Sequence, residues 1–222
     1  MTSVLVVAAH PDDEALGCGG TIARHVAAGD EVSCVFLADG ATSRNSREDV
    51  SAREQQARCA ANVLGIGELY FAHFADNRMD AVALLDVVQT IEEIIAQLTP
   101  EIVYTHHGGD LNVDHRITHQ AVLTACRPQP NHPVRAVYGF EIPSSTEWAP
   151  PGSLPVFTPM RFVDISAHLT QKRKALECYA DEMRPWPHAR SYEAVEALSK
   201  VRGASVGVKA AEAFMVIREI VR

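Results

Sequence analysis

Val4-Leu5-Val6-Val7-Ala8-Ala9-His10-Pro11-Asp12-Asp13-Glu14 is an apolar run that stops at a cluster of metal-binding and proton-transfer groups. Val4 to Ala9 reads as a fully buried strand, because β-branched and small apolar residues follow one another without polar alternation. His10, Asp12 and Asp13 then fall where a parallel strand runs out, which is where open α/β sheets place their sites. One imidazole and two carboxylates so close together make half of a metal site with a base to spare. The bland alternative is that the two aspartates cap the following helix, which accounts for one of them.

Working outward, strand and helix patterns alternate, which predicts βαβ units and a mostly parallel sheet. Ala15 to Ala28 reads as a helix ending at Gly29, and Val32 to Leu37 as the second strand. A polar loop from Asp39 to Arg47 follows. Ser46 and Asp49 then resemble a capping box for a helix through Leu64, stopped by Gly65. Leu69 to Phe71 is a short strand. Ala81 to Leu98 carries apolar residues at 84, 88, 91, 95 and 98, one helical face. Ile102 to Tyr104 is a further buried strand, His115 to Ala125 a helix and Val134 to Phe140 a strand. Between Ile142 and Pro159 the periodicity fails, with five prolines and Trp148, so a lid-like loop is expected there. Helices are expected near 166–182 and 191–202, with no element assigned between 160 and 165. Ala213 to Ile220 fits a helix or a strand equally well. Gly17-Cys18-Gly19-Gly20 is not a G-x-G-x-x-G fingerprint; small residues for close helix-sheet packing explain it better.

The 222 residues suit one domain, taken here as 1–222, with ordinary globular proportions of 47% hydrophobic and 22% charged residues. A net charge of −8 without a basic stripe argues against nucleic acid as a partner. Five scattered cysteines include no C-x-x-C pair, so reduced thiols and a cytoplasmic protein are expected. The first apolar run is too short and too acidic in its flank for a secretory signal, and no stretch approaches a membrane span.

The residues Ala9-His10-Pro11-Asp12-Asp13-Glu14 resemble the first motif, A-H-P-D-D-E, of the PIG-L/LmbE-like zinc-dependent N-acetylglucosamine deacetylases. Asp110-Leu111-Asn112-Val113-Asp114-His115 is similar to that family's second motif, which carries a metal ligand on an Asp-His pair about a hundred residues later. Length and order of elements also match. The resemblance implies a Rossmann-like three-layer α/β fold and Zn2+ held by His10, Asp13 and His115. It further implies Asp12 as general base and removal of an N-acetyl group from an amino sugar. Relatives commonly form homo-oligomers, trimers or hexamers.

Other roles are more local. The chain departs from many relatives at Asn112, where they carry a histidine. An amide donates a hydrogen bond to an oxyanion but transfers no proton, and an Asx turn is the competing reading. Asp114 is expected to orient His115 or Asn112, while His106 and His107 offer a replacement acid or shape the loop. Arg44, after the second strand, stands where the resemblance implies an arginine that holds substrate phosphate or hydroxyls, a solvated surface residue being the alternative. Asp76 and Asn77 leave the third strand end to line the same rim. Pro187 to Ser191 resembles a segment of one branch of the family, which implies that His188 and Arg190 close the pocket from the far side, a plain helix start being the alternative. Trp148 is expected either to face the sugar ring or to fill a subunit contact. Two rivals stand beside the sugar deacetylase: an amidohydrolase acting on another N-acyl substrate, and a non-catalytic sugar- or nucleotide-binding module.

Overall fold

The computed structural model describes residues 1–44 and 48–221. Seven strands form one sheet: β1 (Ser3–Ala8), β2 (Glu31–Ala38), β3 (Glu68–Phe74), β4 (Ile102–His106), β5 (Ala136–Phe140), β6 (Arg161–Asp164) and β7 (Ala211–Glu219). Their spatial order is β3-β2-β1-β4-β5-β7-β6. β1 to β5 are parallel, and β7 runs antiparallel to both of its neighbours. The helices are α1 (Asp13–Ala27), α2 (Glu48–Leu64), α3 (Leu84–Leu98), α4 (Val113–Ala125), α5 (Leu169–Glu177) and α6 (Tyr192–Ala204).

Alternation along β1 divides the core into two layers. Val4, Val6 and Ala8 pack with α1, α2, α5 and α6 on one face of the sheet. Leu5 and Val7 pack with α3 and α4 on the other. Both faces of β1 are therefore apolar, and full burial of each Val or Leu contributes roughly 1.5–3 kcal/mol. The result is the expected three-layer α/β arrangement. The chain leaves β1 toward β2 and β3 on one side, then crosses back to β4 and β5 on the other. That reversal opens a crevice between the carboxyl ends of β1 and β4. Among the described residues no helix is long and apolar enough to cross a membrane.

Several expectations are corrected. The ambiguous C-terminal stretch is strand β7, inserted between β5 and β6, with Ala211 to Phe214 buried. The unassigned stretch after Pro159 contains β6, a four-residue, half-buried edge strand too short to show a period. The helix expected over 166–182 is α5 followed by a single 3-10 turn, Ala180–Glu182. Ser46 of the supposed capping box lies outside the described residues. Cys59 and Cys178 are not reduced: they form a disulfide between α2 and α5, across a separation of 119 residues. Sequence spacing gave no hint of it, because the pairing depends on the packing of two helices. Cys18, Cys34 and Cys126 are free and buried.

The glycine cluster does serve packing. A side chain at Gly17 would overlap the Phe140 ring, and one at Gly20 would overlap Ile165. The helix also breaks at Cys18 (φ −146°, ψ 20°). The N–H groups of Gly20 and Thr21 donate to Glu212 at 2.9 and 2.7 Å. Lys172 Nζ donates to the Leu16 carbonyl at 2.8 Å and to Glu212 at 2.6 Å. A buried ion pair thus replaces the hydrogen bonds that the break removes. Lys172→Met is expected to leave Glu212 buried without its counter-ion and to cost about 3–5 kcal/mol, measurable by denaturant unfolding.

Candidate metal centre and active site

His10 and Asp13 are brought together by the turn that follows β1. The Asp13 carboxylate accepts the backbone N–H of His10 at 2.8 Å, closing the turn through Pro11. Its Oδ2 lies 3.3 Å from His10 Nδ1, 3.4 Å from His115 Nε2 and 3.4 Å from His106 Nε2. His106 is the last residue of β4, and its Nε2 accepts the Ala9 N–H at 2.9 Å. Its ring stacks on His115, with centroids 4.0 Å apart. All four side chains are buried.

Each of the two outer imidazoles is held on its far side by carboxylate. His10 Nε2 faces Asp114 at 3.0 Å and Asp76 at 3.1 Å. His115 Nδ1 faces Asp110 at 3.0 Å. Asp110 is itself fixed by the hydroxyls of Ser145 and Thr146, the latter at 2.6 Å. Asp114 accepts the backbone N–H groups of Asn77 and Met79 at 2.7 and 3.0 Å. The expected partnership of Asp114 with His115 is therefore corrected: Asp110 faces His115, and Asp114 serves His10. Asp110 was not singled out from the sequence, although it opens the second motif.

Among the described residues two groups of donors are close enough to hold a cation, His10/Asp13/His115 and His10/Asp76/Asp114, each with its ligand atoms within 4.8 Å of one another. Hydrogen bonding separates them. In the second group Asp114 and Asp76 already accept from backbone, hydroxyl or amide donors. In the first, the buried atoms Asp13 Oδ1 and His115 Nε2 make no hydrogen bond. Buried polar atoms without partners are costly, and a cation between these two would satisfy both. Two imidazoles and a carboxylate are also a known donor set for zinc. His10, Asp13 and His115 thus fit a divalent metal.

The charges follow from these contacts. Burial opposes ionisation of Asp13, but His115 and His10 hold its carboxyl well below the usual range. Burial lowers His115, yet Asp13 and Asp110 carry it up to about 9. Burial, together with the neighbouring His115, pulls His106 down to about 4, which keeps that ring neutral.

Asp12 points elsewhere. Its Oδ2 accepts from Arg190 Nη1 at 2.9 Å, with Arg53 Nη2 at 3.6 Å. Burial raises its carboxyl above the ordinary range against the pull of both guanidiniums. Arg53, on α2, also reaches the Pro11 carbonyl and Glu182. No sequence pattern pointed to it.

The remaining candidates divide by place. Asn112 is the N-cap of α4: its side-chain oxygen accepts the Asp114 N–H at 2.8 Å, and its amide donates to Asn77 at 3.3 Å. The turn-shaping reading is thus the one its contacts express. Asp76 is buried, turned to His10 and bonded by Ser43, while Asn77 is exposed. Arg44 closes a 3-10 turn, Thr42–Arg44, but its side chain lies outside the described residues. Trp148 is 51% exposed and meets the His188 ring edge-on at 5.7 Å. Arg190 Nε donates to Ser144 at 2.7 Å. His107 Nε2 lies 2.8 Å from the Pro155 carbonyl, so it fastens the 142–159 segment.

Two imidazoles and a carboxylate at the switch point of a doubly wound sheet, backed by three further carboxylates, are the donor arrangement of a hydrolytic metal centre. The sequence profile of PIG-L, the GlcNAc-PI de-N-acetylases, matches residues 5–126. The chain belongs to that family of deacetylases. Over 147 residues it is 33% identical to the uncharacterized deacetylase YaiS of Escherichia coli K12, covering 64% of this chain and 75% of that one. The N,N'-diacetylchitobiose deacetylase of Pyrococcus horikoshii has a similar structure (TM-score 0.79, 20% identity, 98% and 84% of the two chains). So does GalB, the 4-carboxy-2-hydroxymuconate hydratase of Pseudomonas putida KT2440 (TM-score 0.81, 24% identity, 100% and 98%). These two likenesses establish the fold.

Asp110→Asn is expected to weaken metal affinity about 10- to 100-fold by loosening His115. Competition against a chromophoric chelator measures it, with Asn112→Ala as a variant expected to leave affinity near that of the wild type.

Proposed function

We propose that this protein is a zinc-dependent N-deacetylase acting on an N-acetylated, GlcNAc-type amino sugar, free or conjugated. The observation that carries the reading is the His10/Asp13/His115 donor set beside a separately held Asp12 carboxylate. Family membership adds the reaction class. His10, Asp13 and His115 would hold the ion, which supplies Lewis acidity toward water and the amide carbonyl. Asp12 takes a proton as water adds to the carbonyl carbon, and returns it to nitrogen as the C–N bond breaks. One water is consumed, and acetate and the free amine result. Arg190, which donates from Nη1 to Asp12 and from Nε to Ser144, orients the base. Asn112 keeps one amide N–H with which to meet the developing oxyanion.

Residues 142–159 form a cover over the crevice of this single domain. Ile142, Ser145 and Thr146 are buried, and Thr146 and His107 fasten the segment near both of its ends. Trp148, against His188, presents an apolar face suited to a sugar ring. Asn77 adds polar contacts at the rim, and Asp76 acts on substrate through His10.

Chelation is expected to abolish release of acetate from acetylated sugars, and added zinc to restore it. Full activity in a metal-free preparation would overturn the mechanism. Asp12→Asn is expected to retain zinc while kcat falls by about two to four orders of magnitude. Loss of zinc from that variant instead would reverse the roles of the two neighbouring aspartates. Trp148→Ala is expected to raise KM several-fold on the true substrate, on the order of a lost stacking contact, with zinc content unchanged.

A further inference from the structure

Asp12 is a non-glycine residue at φ 121°, ψ −26°, a backbone conformation that side chains rarely adopt. Such a conformation persists only where the surroundings impose it. The Asp12 carbonyl accepts the N–H groups of Ala15 and Leu16 at 3.1 and 2.9 Å, as the first bonds of α1. Those bonds fix the peptide that follows. The peptide that precedes is held at its carbonyl by Arg53 Nη2 and at its N–H by Glu14 Oε2, the latter at 3.1 Å. Glu14 in turn is held by one side chain: Tyr179 O–H donates to its Oε1 at 2.7 Å. Glu14 and Tyr179 are fully buried.

We propose that Glu14 and Tyr179 are positioning residues, which fix the Asp12 peptide so that its carboxylate meets Arg190 in the orientation needed for proton transfer. The proposal rests on the reading of Asp12 as the base. Glu14 spends one oxygen on Asp12 and the other on Tyr179, and among the described residues neither side chain hydrogen-bonds to a metal donor. Tyr179 comes from a distant part of the chain, just after α5. Its neighbour Cys178 is bonded to Cys59 on α2, and Arg53 of the same helix lies 5.7 Å over the Tyr179 ring. The far end of the tether is thus anchored on two helices, not on the loop it controls. A carboxylate at a helix N-terminus commonly favours the helix alone. Here it is bridged to a buried phenol 165 residues away, which helix capping does not require.

Glu14→Gln, Glu14→Met and Tyr179→Phe separate these roles. A glutamine oxygen still accepts from Asp12 N–H while its amide donates to the Tyr179 oxygen, so kcat is expected to stay within about threefold of wild type. Methionine offers no acceptor; kcat is expected to fall on the order of a hundredfold with KM and metal content unchanged. Tyr179→Phe is expected to lose roughly tenfold in kcat alone. Crystal structures of the Glu14→Met and Tyr179→Phe proteins supply a readout apart from activity, with Asp12 expected to leave its positive φ and its contact with Arg190. An unfolding midpoint that drops while kcat holds would make the tether merely structural and overturn the proposal. Retention of the Asp12 geometry in both crystal structures would overturn it too, and if Glu14→Met does not fold, Tyr179→Phe decides. Absence of any sugar deacetylation by the wild type would sink the functional reading separately, since the Asp12 geometry still decides the tether.

Discussion

The carboxylate of Asp13 is where β1, β4 and α4 meet. It accepts the His10 N–H and lies within 3.4 Å of three imidazoles, from the turn after β1, the end of β4 and the first turn of α4. A carboxylate buried this completely is tolerable only among such partners. The requirement propagates outward. The chain must turn sharply at Pro11 for Asp13 to reach back to His10, and it does so through Asp12 at positive φ. His106 must end β4 level with Ala9, which sets the heights of the two strands across the switch point. Apolar packing supplies the layers, but this one group sets their register at the crevice.

Around that centre the carboxylates form a graded set. Asp13 faces the imidazole atoms that also face one another, whereas Asp114, Asp76 and Asp110 address their far sides. Each outer carboxylate is pinned by donors from another segment: Asp114 by the backbone of Asn77 and Met79, Asp110 by hydroxyls of the 142–159 segment. The imidazoles are therefore oriented by the loops that form the walls. This matters for chemistry because the fold alone does not choose it; a hydratase and a deacetylase share this architecture. What distinguishes one occupant of the fold from another is the set of side chains projected from the strand ends.

The parallel core was legible because its strands are short runs of β-branched residues bounded by helical periods. Val4 to Ala9 shows this best, and its abrupt stop at His10 located the crevice as well. β6 and β7 were less legible for a physical reason. β6 is four residues on an edge, and β7 mixes an apolar inner half with a polar outer one, so neither carries a clean period. The Cys59–Cys178 pair was invisible, since only the packing of α2 on α5 brings it together. In the site, residues adjacent in sequence to a motif could be named, but partnerships could not. Asp110 and Asp114 are four residues apart and chemically identical; which imidazole each faces is decided by tertiary contacts. Arg53 and Tyr179 lie in stretches whose pattern is simply helical, and nothing local marks them.

The environment of Asp12 joins these themes. Burial pushes its carboxyl toward the protonated form, and Arg190 and Arg53 pull it back. The two guanidiniums differ in what holds them. Arg53 is locked into α2 between Glu182 and the Pro11 carbonyl, so its pull is fixed by the core. Arg190 divides its guanidinium between Asp12 and Ser144, a residue of the 142–159 segment. The field at Asp12 is thus set jointly by the rigid scaffold and by the segment that borders the crevice. Because the Coulomb attraction of a close pair falls with distance, a shift of Ser144 that carries Arg190 away weakens one of the two guanidiniums facing Asp12 and leaves the other in place. The environment of Asp12 is in this way shared between the core and the loop above it.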